Sequence, residues 1–280
     1  MIFRITFQRT GKYRMLPVDY QYYLSAWIYK VIANTDPGFS AFLHSEGYKD
    51  GNKRFKLFAY FPLNLGKPLL WKEKSLFELR ADRIFMQVAF HLSDAAEKFI
   101  IGLFNNQQLY IGDRFNGIDL CVVQVERIPD PPVNNVMYYK ALSPVVVSVM
   151  TGGEKYARYL SPDDDGYAEF IKNNLLQRRK AIPGTLPVDV VDAFSLKLKT
   201  APRSKLITVK PGTKQQSKIR GYIFDFELKA PEEFHRLILS SSIGEKGSTG
   251  FGWCEVITNP TPNPQGFQNL EGLGLNSIKN

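Results

Sequence analysis

The amino-acid sequence predicts an α+β protein made of two consecutive βαββαβ units. Three observations carry this prediction. Short segments with alternating apolar residues are interspersed with longer segments that have apolar residues at helical spacing. These segments follow one another in a similar order twice, and a proline-rich stretch separates the two passes. Two ferredoxin-like domains in tandem are therefore expected.

The first unit is predicted to span residues 1–128. Residues 2–8 alternate as a strand, and apolar residues recur at helical spacing over about residues 19–34. Further strands are predicted at residues 55–61 (FKLFAYF), 76–80 and 85–92. A helix follows Ser93, and a strand over residues 118–127 ends the unit, so the order approximates βαββαβ with an extra hairpin.

The second unit is predicted to span residues 138–257, after a linker at residues 129–137 whose prolines interrupt both helix and sheet. Its first strand is expected at residues 142–150 (LSPVVVSVM), followed by a helix. That helix spans residues 163–180 and is followed by strands at 194–199, 206–210 and 221–228, a helix over 231–242, the glycine loop and a last strand over 251–257. The tail at residues 258–280 has no periodicity and is expected to be an extension without chemistry.

The charge balance points to a polyanionic partner. The chain has 36 Lys and Arg residues against 27 Asp and Glu residues, a formal net charge of +9. Such an excess favours nucleic acid or an acidic membrane surface. No apolar stretch of the sequence is long enough to span a bilayer, and the N-terminal alternation differs from a signal peptide, so a cytoplasmic location is expected. Cys121 and Cys254 lack the spacing of a disulfide framework or a zinc site.

The segment GEKGSTGFGW, residues 244–253, contains four glycines but does not match a nucleotide-binding loop. A P-loop needs Gly-Lys-Ser/Thr at its end, whereas Lys246 here precedes Gly247. A dinucleotide-binding loop follows a strand and opens a helix, whereas this loop follows a predicted helix and precedes a predicted strand. On this pattern alone, Gly244 fits a helix C-cap.

His44 is the histidine best placed for chemistry. It ends a short apolar turn and opens onto the polar, lysine-rich loop SEGYKDGNKR, where a large substrate can reach an imidazole. His91 and His235 lie in a predicted strand and a predicted short helix, and for both a surface or hydrogen-bonded structural role is favoured.

Tyr29 and Lys56 are further candidates. Helical spacing puts Tyr29 roughly opposite the apolar stripe of its helix, near Ser25, so either a second layer covers this face or the tyrosine is available for chemistry. Lys56 would lie on the strand face opposite Phe55 and Leu57, where it either reaches a phosphate or is solvated.

The acidic run Asp163–Asp164–Asp165 has two interpretations. Paired carboxylates hold the ions of two-metal nucleases. The run also directly precedes a predicted helix, where acidic side chains cap free N–H groups and interact with the helix dipole. The second interpretation is favoured, and no metal site and no cofactor are predicted.

Five segments together resemble the CRISPR-associated endoribonucleases that cut precursor CRISPR RNA within its repeats, which belong to the repeat-associated mysterious protein superfamily. These segments are QYYLSAWIYKVI, FLH, FKLFAYF, LSPVVV and GEKGSTGFGWCEV. The similarity covers residues 1–257 and excludes the tail. One position departs from the family pattern, because Ser242 stands where a glycine is frequent, and a local change of the turn is expected there.

The resemblance implies a metal-independent site formed by a tyrosine, a histidine and a lysine. On the matching motifs these are Tyr29, His44 and Lys56, with Lys49 or Lys53 as alternatives for the lysine because the loop after His44 is longer than in some relatives. His44 would carry the principal proton transfer when a ribose 2′-oxygen attacks the adjacent phosphorus. Tyr29 would orient or relay a proton, and the lysine would offset negative charge.

The resemblance also implies that the glycine-rich loop contacts the RNA backbone. The residues expected to do so are Gly244, Lys246, Gly247, Gly250 and Gly252. The expected partner is the repeat of precursor CRISPR RNA, and no membrane partner is expected. Whether the chain joins a CRISPR effector complex or forms a homodimer is left open. A non-catalytic RNA-binding subunit of the same fold is the alternative, and His44 discriminates against it because a binder needs no histidine there.

Overall fold

The computed structural model of this chain describes residues 1–150, 157–185, 194–210 and 213–258. The first unit contains short strands and three α-helices. In chain order these are β1 (Ile2–Arg9), β2 (Met15–Pro17), α1 (Gln21–Ala33), α2 (Pro37–Ser45), β3 (Tyr48–Asp50), β4 (Lys53–Phe55), β5 (Phe58–Asn64), β6 (Leu69–Trp71), β7 (Leu76–Glu78), β8 (Arg83–Phe90), α3 (Ser93–Asn105), β9 (Gln108–Gly112) and β10 (Gly117–Ile128).

The main sheet of the first unit is antiparallel and has the order β5-β8-β1-β10-β9. Its first four strands have the order of a βαββαβ unit, in which the first strand lies between the third and the fourth. Helices α1 and α3 pack together through Trp27 and Phe99, whose ring centroids are 6.0 Å apart. The predicted ferredoxin-like architecture is confirmed for this unit.

The second unit repeats this architecture. Its elements are β11 (Val136–Ala141), β12 (Ser148–Val149), β13 (Arg158–Tyr159), α4 (Tyr167–Lys180), β14 (Ser195–Leu198), β15 (Arg203–Val209), β16 (Ser217–Ile223), β17 (Asp225–Lys229), α5 (Glu232–Ser241) and β18 (Cys254–Val256). The sheet order β14-β17-β11-β18 is again that of a βαββαβ unit, and the hairpin β15–β16 is inserted between β14 and β17.

The first strand of the second unit lies earlier than predicted. β11 begins at Val136, inside the segment expected to be a linker, and pairs with β17 and β18. In β11, Met137, Tyr139 and Ala141 are buried alternately, which is the period of a strand with one buried face. Residues 142–150 form only β12 and one isolated bridge at Val145, so the strand predicted there is wrong. Three consecutive buried valines and a proline in this segment do not follow a strand period.

The predicted strand over residues 55–61 is interrupted. Leu57 adopts a φ of +53° and separates β4 from β5. The side chain of Leu57 is buried in the core of the second unit, whereas the next residue, Phe58, belongs to the core of the first. The side chains that follow Lys56 therefore pack into the cores of both units, and the chain connects the two cores at this point.

The two units also pack against each other through the open face of the first sheet. Trp253 of the second unit lies against Ile2, Ala59 and Ala89. The two alanines are the small residues of this face and leave room for the indole ring. Among the described residues, no helix is long and apolar enough to cross a membrane.

Candidate active site

Tyr29 and His44 lie side by side where α1 and α2 meet. Their ring centroids are 5.1 Å apart, with the ring planes at 82°. Helix α2 begins after Asp36, whose carboxylate accepts a hydrogen bond from the N–H of Phe39. The Ser40 hydroxyl then donates to the main-chain oxygen of Tyr29 over 2.8 Å, which holds α2 against α1. His44, near the end of α2, is thereby held beside Tyr29 with an exposed side chain.

Lys56 is tied to the main chain of His44. Its Nζ donates to the His44 carbonyl oxygen over 2.7 Å. Burial, with a smaller contribution from Arg54, lowers the pKa of Lys56, so its ammonium group is a stronger acid than that of a free lysine. Of the alternative lysines, Lys49 is paired with Glu46 over 2.7 Å, and Lys53 faces a cavity.

The environments of Tyr29 and His44 differ. Burial raises the pKa of Tyr29 to about 12, although the nearby Ser248 side chain partly opposes this effect. At neutral pH the phenol therefore keeps its proton and can donate or relay it. The imidazole of His44 is exposed and has no hydrogen-bond partner among the described residues, so both of its nitrogens are open to a substrate.

The glycine-rich loop, residues 244–252, reaches from the second unit onto α1 and β5 of the first. Ser25 donates from its hydroxyl to the main-chain oxygen of Ser248 over 2.9 Å. Gly250, at φ +87°, lies so close to Tyr60 that an added Cβ would be 3.0 Å from the ring. The loop thus covers the face of α1 at Ser25, whereas Tyr29 on the same face stays partly exposed beside His44.

Several loop amides are already used inside the protein. The N–H groups of Glu245 and Gly252 donate to main-chain oxygens of the segment 142–150, and that of Gly250 donates within the loop. The amides of Gly247 and Ser248 have no acceptor among the described residues, and the Lys246 side chain is exposed. The RNA contacts expected of this loop stay predictions, and these last groups are the ones open to them.

Ser242, the departure from the family pattern, lies just before the loop in a backbone conformation that favours glycine. Its φ is +69° and its ψ is 171°. The residue is buried, and its hydroxyl has no partner among the described residues. Its main-chain oxygen accepts a hydrogen bond of 2.8 Å from the buried guanidinium of Arg178.

A cavity of about 600 Å³ adjoins the glycine-rich loop. It lies between the β3–β4 hairpin, β12, β13 and α4. Lys53 and Arg158 contribute cations to its lining, Asn174 contributes an amide, and Gly244 and Glu245 belong to the loop itself. The carboxylates of Asp165 and Glu245 also line it, so the two cations are balanced by two acidic side chains.

The acidic run does not cap a helix. Helix α4 begins at Tyr167, and its N-cap is Gly166 without a side-chain hydrogen bond, so the predicted capping is wrong. The run instead lies in the preceding turn, where Asp164 accepts a hydrogen bond from the N–H of Ser161 over 2.9 Å. Within the described ranges, no group of three or more His, Cys, Asp or Glu side chains is arranged to hold a metal ion.

The other histidines have structural partners. His91 Nδ1 is 2.7 Å from the hydroxyl of Ser240, and His235 Nδ1 is 2.9 Å from the hydroxyl of Tyr139. Their predicted hydrogen-bonded structural role is confirmed. The sequence analysis did not identify Ser248, because its contact with α1 joins residues 223 positions apart. The one indication in the sequence was that Ser248 lies within the glycine-rich segment.

Comparison with a solved structure shows the fold class of this chain. A Cas6-related protein of Pyrococcus furiosus has a solved structure that superposes on this chain with a TM-score of 0.77 at 20% identity, covering 93% of this chain and 99% of that one. At this identity the likeness concerns the fold, which is that of tandem ferredoxin-like proteins.

The family follows from the sequence matches. The family model for CRISPR-associated protein Cas6, N-terminal, matches residues 15–125, and that for CRISPR associated protein Cas6, C-terminal, matches residues 128–256. The chain belongs to the CRISPR-associated Cas6 family, and the resemblance seen in the sequence is confirmed.

Two curated relatives carry the name CRISPR-associated endoribonuclease. One, from Pyrococcus furiosus, is 27% identical over 250 residues, which cover 88% of this chain and 85% of the relative. The other, from Methanocaldococcus jannaschii, is 25% identical over 175 residues. That match covers 62% of this chain and 63% of the relative, less than two thirds of its length. The predicted endoribonuclease class is that of both relatives.

Proposed function

We propose that this Cas6-family endoribonuclease cleaves CRISPR repeat RNA by attack of a ribose 2′-hydroxyl on the adjacent phosphate, and so releases guide RNAs from their precursor. The observation that carries the proposal is the pairing of Tyr29 with an exposed His44 whose main chain is held by Lys56. Family membership and the names of the two curated relatives support the reaction class.

Each of the three side chains has its own role in this reaction. The bond from O2′ to phosphorus forms while the bond from phosphorus to the leaving 5′-oxygen breaks. His44 carries the principal proton transfer, because an imidazole can accept or donate a proton near neutral pH. The protonated phenol of Tyr29 orients or relays a proton, and the ammonium of Lys56 offsets charge on the phosphorane. Hydroxide generated by a metal ion has no role in this scheme.

The RNA backbone contacts individual cations around the glycine-rich loop. Lys246 is exposed on the loop, and Lys53 and Arg158 line the adjoining cavity. Phosphates bound by these cations would lie close to the His44 region, because Lys53 belongs to the hairpin that follows α2. We place this activity in the cytoplasm, and we leave a homodimer or an effector complex as partners to be tested by the size of the protein with and without RNA.

The experiment compares two repeat RNAs, each with and without EDTA. One is all-ribose, and the other has a single 2′-deoxy nucleotide immediately 5′ of the scissile phosphate. The all-ribose RNA should be cut to products with a 5′-hydroxyl and a 2′,3′-cyclic phosphate or its 3′-phosphate, and the deoxy RNA should bind without being cut. Cleavage of the deoxy RNA that is lost in EDTA would instead indicate metal-dependent hydrolysis. Tight binding of the all-ribose RNA without any cleavage would indicate a non-catalytic subunit.

A further inference from the structure

A second cavity adjoins α1, beside the face of the helix that carries Tyr29. It has a volume of about 340 Å³ and lies between α1 and the edge strand β9. From α1 it is lined by residues at helical spacing, among them Tyr23, Ala26, Lys30 and Asn34. At about 100° per residue, this stripe lies about a third of a turn around the helix from Tyr29.

Tyr110 of β9 presents a ring to this cavity in a fixed position. Its side chain is 47% exposed. Its hydroxyl donates to the main-chain oxygen of Asp113 over 2.6 Å. On the neighbouring strand β10, Gly117 lies so close that an added Cβ would clash with the tyrosine ring. The ring is therefore supported by its own hairpin and needs no rearrangement before a nucleobase stacks on it.

Side-chain amides beside the ring are open to a ligand. Gln108 and Tyr110 point to the same outward face of β9, because exposed and buried residues alternate along this strand. The side-chain amides of Gln108 and Asn34, both exposed, have no hydrogen-bond partner in the part of the chain that the structure describes. A carboxamide both donates and accepts, which is what the edge of an unpaired base requires.

The charge of the lining gives the cavity a direction. Among the described residues, Lys30 is the one charged side chain that lines it, and it is exposed. Two carboxylates lie near Tyr110 outside the lining. That of Asp113 accepts two N–H groups of its own turn, and Asp119 pairs with Tyr110 across the strands. An anionic phosphate is thus favoured at Lys30, and an uncharged base at Tyr110.

We propose that the cavity between α1 and β9 binds one unpaired nucleotide of the repeat RNA: its base stacks on Tyr110, Gln108 hydrogen-bonds the base edge, and Lys30 contacts a phosphate. Ala26 is exposed between this cavity and the face of Tyr29, so its small side chain lets the strand cross a helix about 10 Å wide. The inference rests on the proposed function, because it gives the RNA cut beside His44 a second contact.

A scan with abasic nucleotides tests this inference. Repeat RNAs with one abasic ribose at successive positions are bound to the wild type and to Tyr110→Ala, and dissociation constants and single-turnover rates are measured. Tyr110→Ala should bind intact RNA roughly tenfold more weakly and cut it at the wild-type rate when saturated. One abasic position should weaken binding to the wild type by a similar factor and have no further effect on Tyr110→Ala.

Matched variants separate stacking from other effects. Tyr110→Phe keeps the ring and should bind as the wild type does. Trp71→Ala removes another exposed ring that lies beside a lysine but outside the cavity, and it should also keep the wild-type affinity. Lys30→Gln should lower the slope of log affinity against log salt by about 0.7, whereas Tyr110→Ala should leave it unchanged. If Tyr110→Ala does not fold, Ala26→Leu narrows the cavity and should give the same loss of affinity.

Three outcomes would overturn the inference. A folded Tyr110→Ala protein that binds and cuts repeat RNA as the wild type does would assign the cavity to another class of ligand, a protein partner included, and would leave the proposed function intact. Losses that add at every abasic position would show that no base stacks on Tyr110. A wild-type protein that does not bind repeat RNA would overturn this inference and the proposed function together.

Discussion

At the scale of single residues, Ser242 combines two unfavourable features in a buried position. Its φ of +69° with a ψ of 171° is a region populated almost entirely by glycine, and its hydroxyl has no partner among the described residues. The turn is nevertheless maintained, because Arg178 holds the main-chain oxygens of Ser241 and Ser242. The cost of this residue should therefore appear in the stability of the protein.

Replacement of Ser242 by glycine should raise the free energy of unfolding by about 1 kcal/mol. Glycine removes the Cβ strain and the buried hydroxyl, and the larger entropy of its unfolded chain offsets part of the gain. Urea unfolding measures the change. Ser242→Ala is the matched control, since it removes the hydroxyl and keeps the Cβ, and its gain should be smaller. A Ser242→Gly protein less stable than the wild type would contradict this account of the turn.

At the scale of elements, the hairpin β15–β16 presents cations beside the glycine-rich loop. Ile219 of β16 is buried against Val146 and against Phe251, the residue that follows Gly250. On the same strand, Lys218 and Arg220 are exposed, and Arg220 is oriented by a hydrogen bond of 2.9 Å to the hydroxyl of Ser204. The alternation of β16 thus directs its cations outward next to the expected RNA path.

Removal of both cations, in Lys218→Ala combined with Arg220→Ala, should weaken RNA binding and reduce its salt dependence. Each lost phosphate contact to a single strand lowers the slope of log affinity against log salt by about 0.7. The slope of the double variant should therefore fall by about 1.4, while cleavage of saturating RNA is unchanged. The control pair, Lys72→Ala with Lys74→Ala, removes an equal amount of positive charge from a turn of the first unit. An equal loss for both pairs would argue against a specific path along the hairpin.

At the scale of the whole molecule, a half-buried histidine lies at the contact between the units. His91 follows β8 of the first unit and pairs with Ser240 in α5 of the second. Burial, with smaller contributions from Arg178 and the N-terminal ammonium, lowers the pKa of His91 to about 4. Burial also lowers the pKa of His235. Protonation of either imidazole is therefore less favourable in the folded protein than in the unfolded chain.

Acid should consequently destabilise the folded chain before its carboxylates titrate. Between about pH 6.5, the usual pKa of histidine, and about pH 4, the unfolded chain binds more protons at His91 than the folded protein does. The contribution of His91 is thus fully present above pH 6.5 and falls as the pH is lowered through this window. From pH 7 to pH 5 the free energy of unfolding should drop by about 2 kcal/mol from this group. Urea unfolding of His91→Gln should show a shallower drop, and an identical pH dependence would contradict the assignment.

The sequence predicted the elements with clear periodicity and missed those that depend on contacts between the units. Helices α1, α3 and α5 were placed within a few residues of their observed bounds, because their apolar residues recur at helical spacing. Strand β11 was missed because it begins within the segment read as a proline-rich linker. The break at Leu57 and the position of Ser248 arise from packing between the units, which a local pattern does not encode.

The central claim is that His44 carries the principal proton transfer in a reaction that uses the RNA's own 2′-hydroxyl. The most direct measurement is single-turnover cleavage of repeat RNA by His44→Ala in EDTA, together with the dissociation constant of the same RNA. The rate should fall by a factor on the order of 10² to 10⁴ while the dissociation constant stays at the wild-type value, because a general acid–base group acts mainly in the transition state. A His44→Ala protein that cleaves at the wild-type rate would contradict the claim.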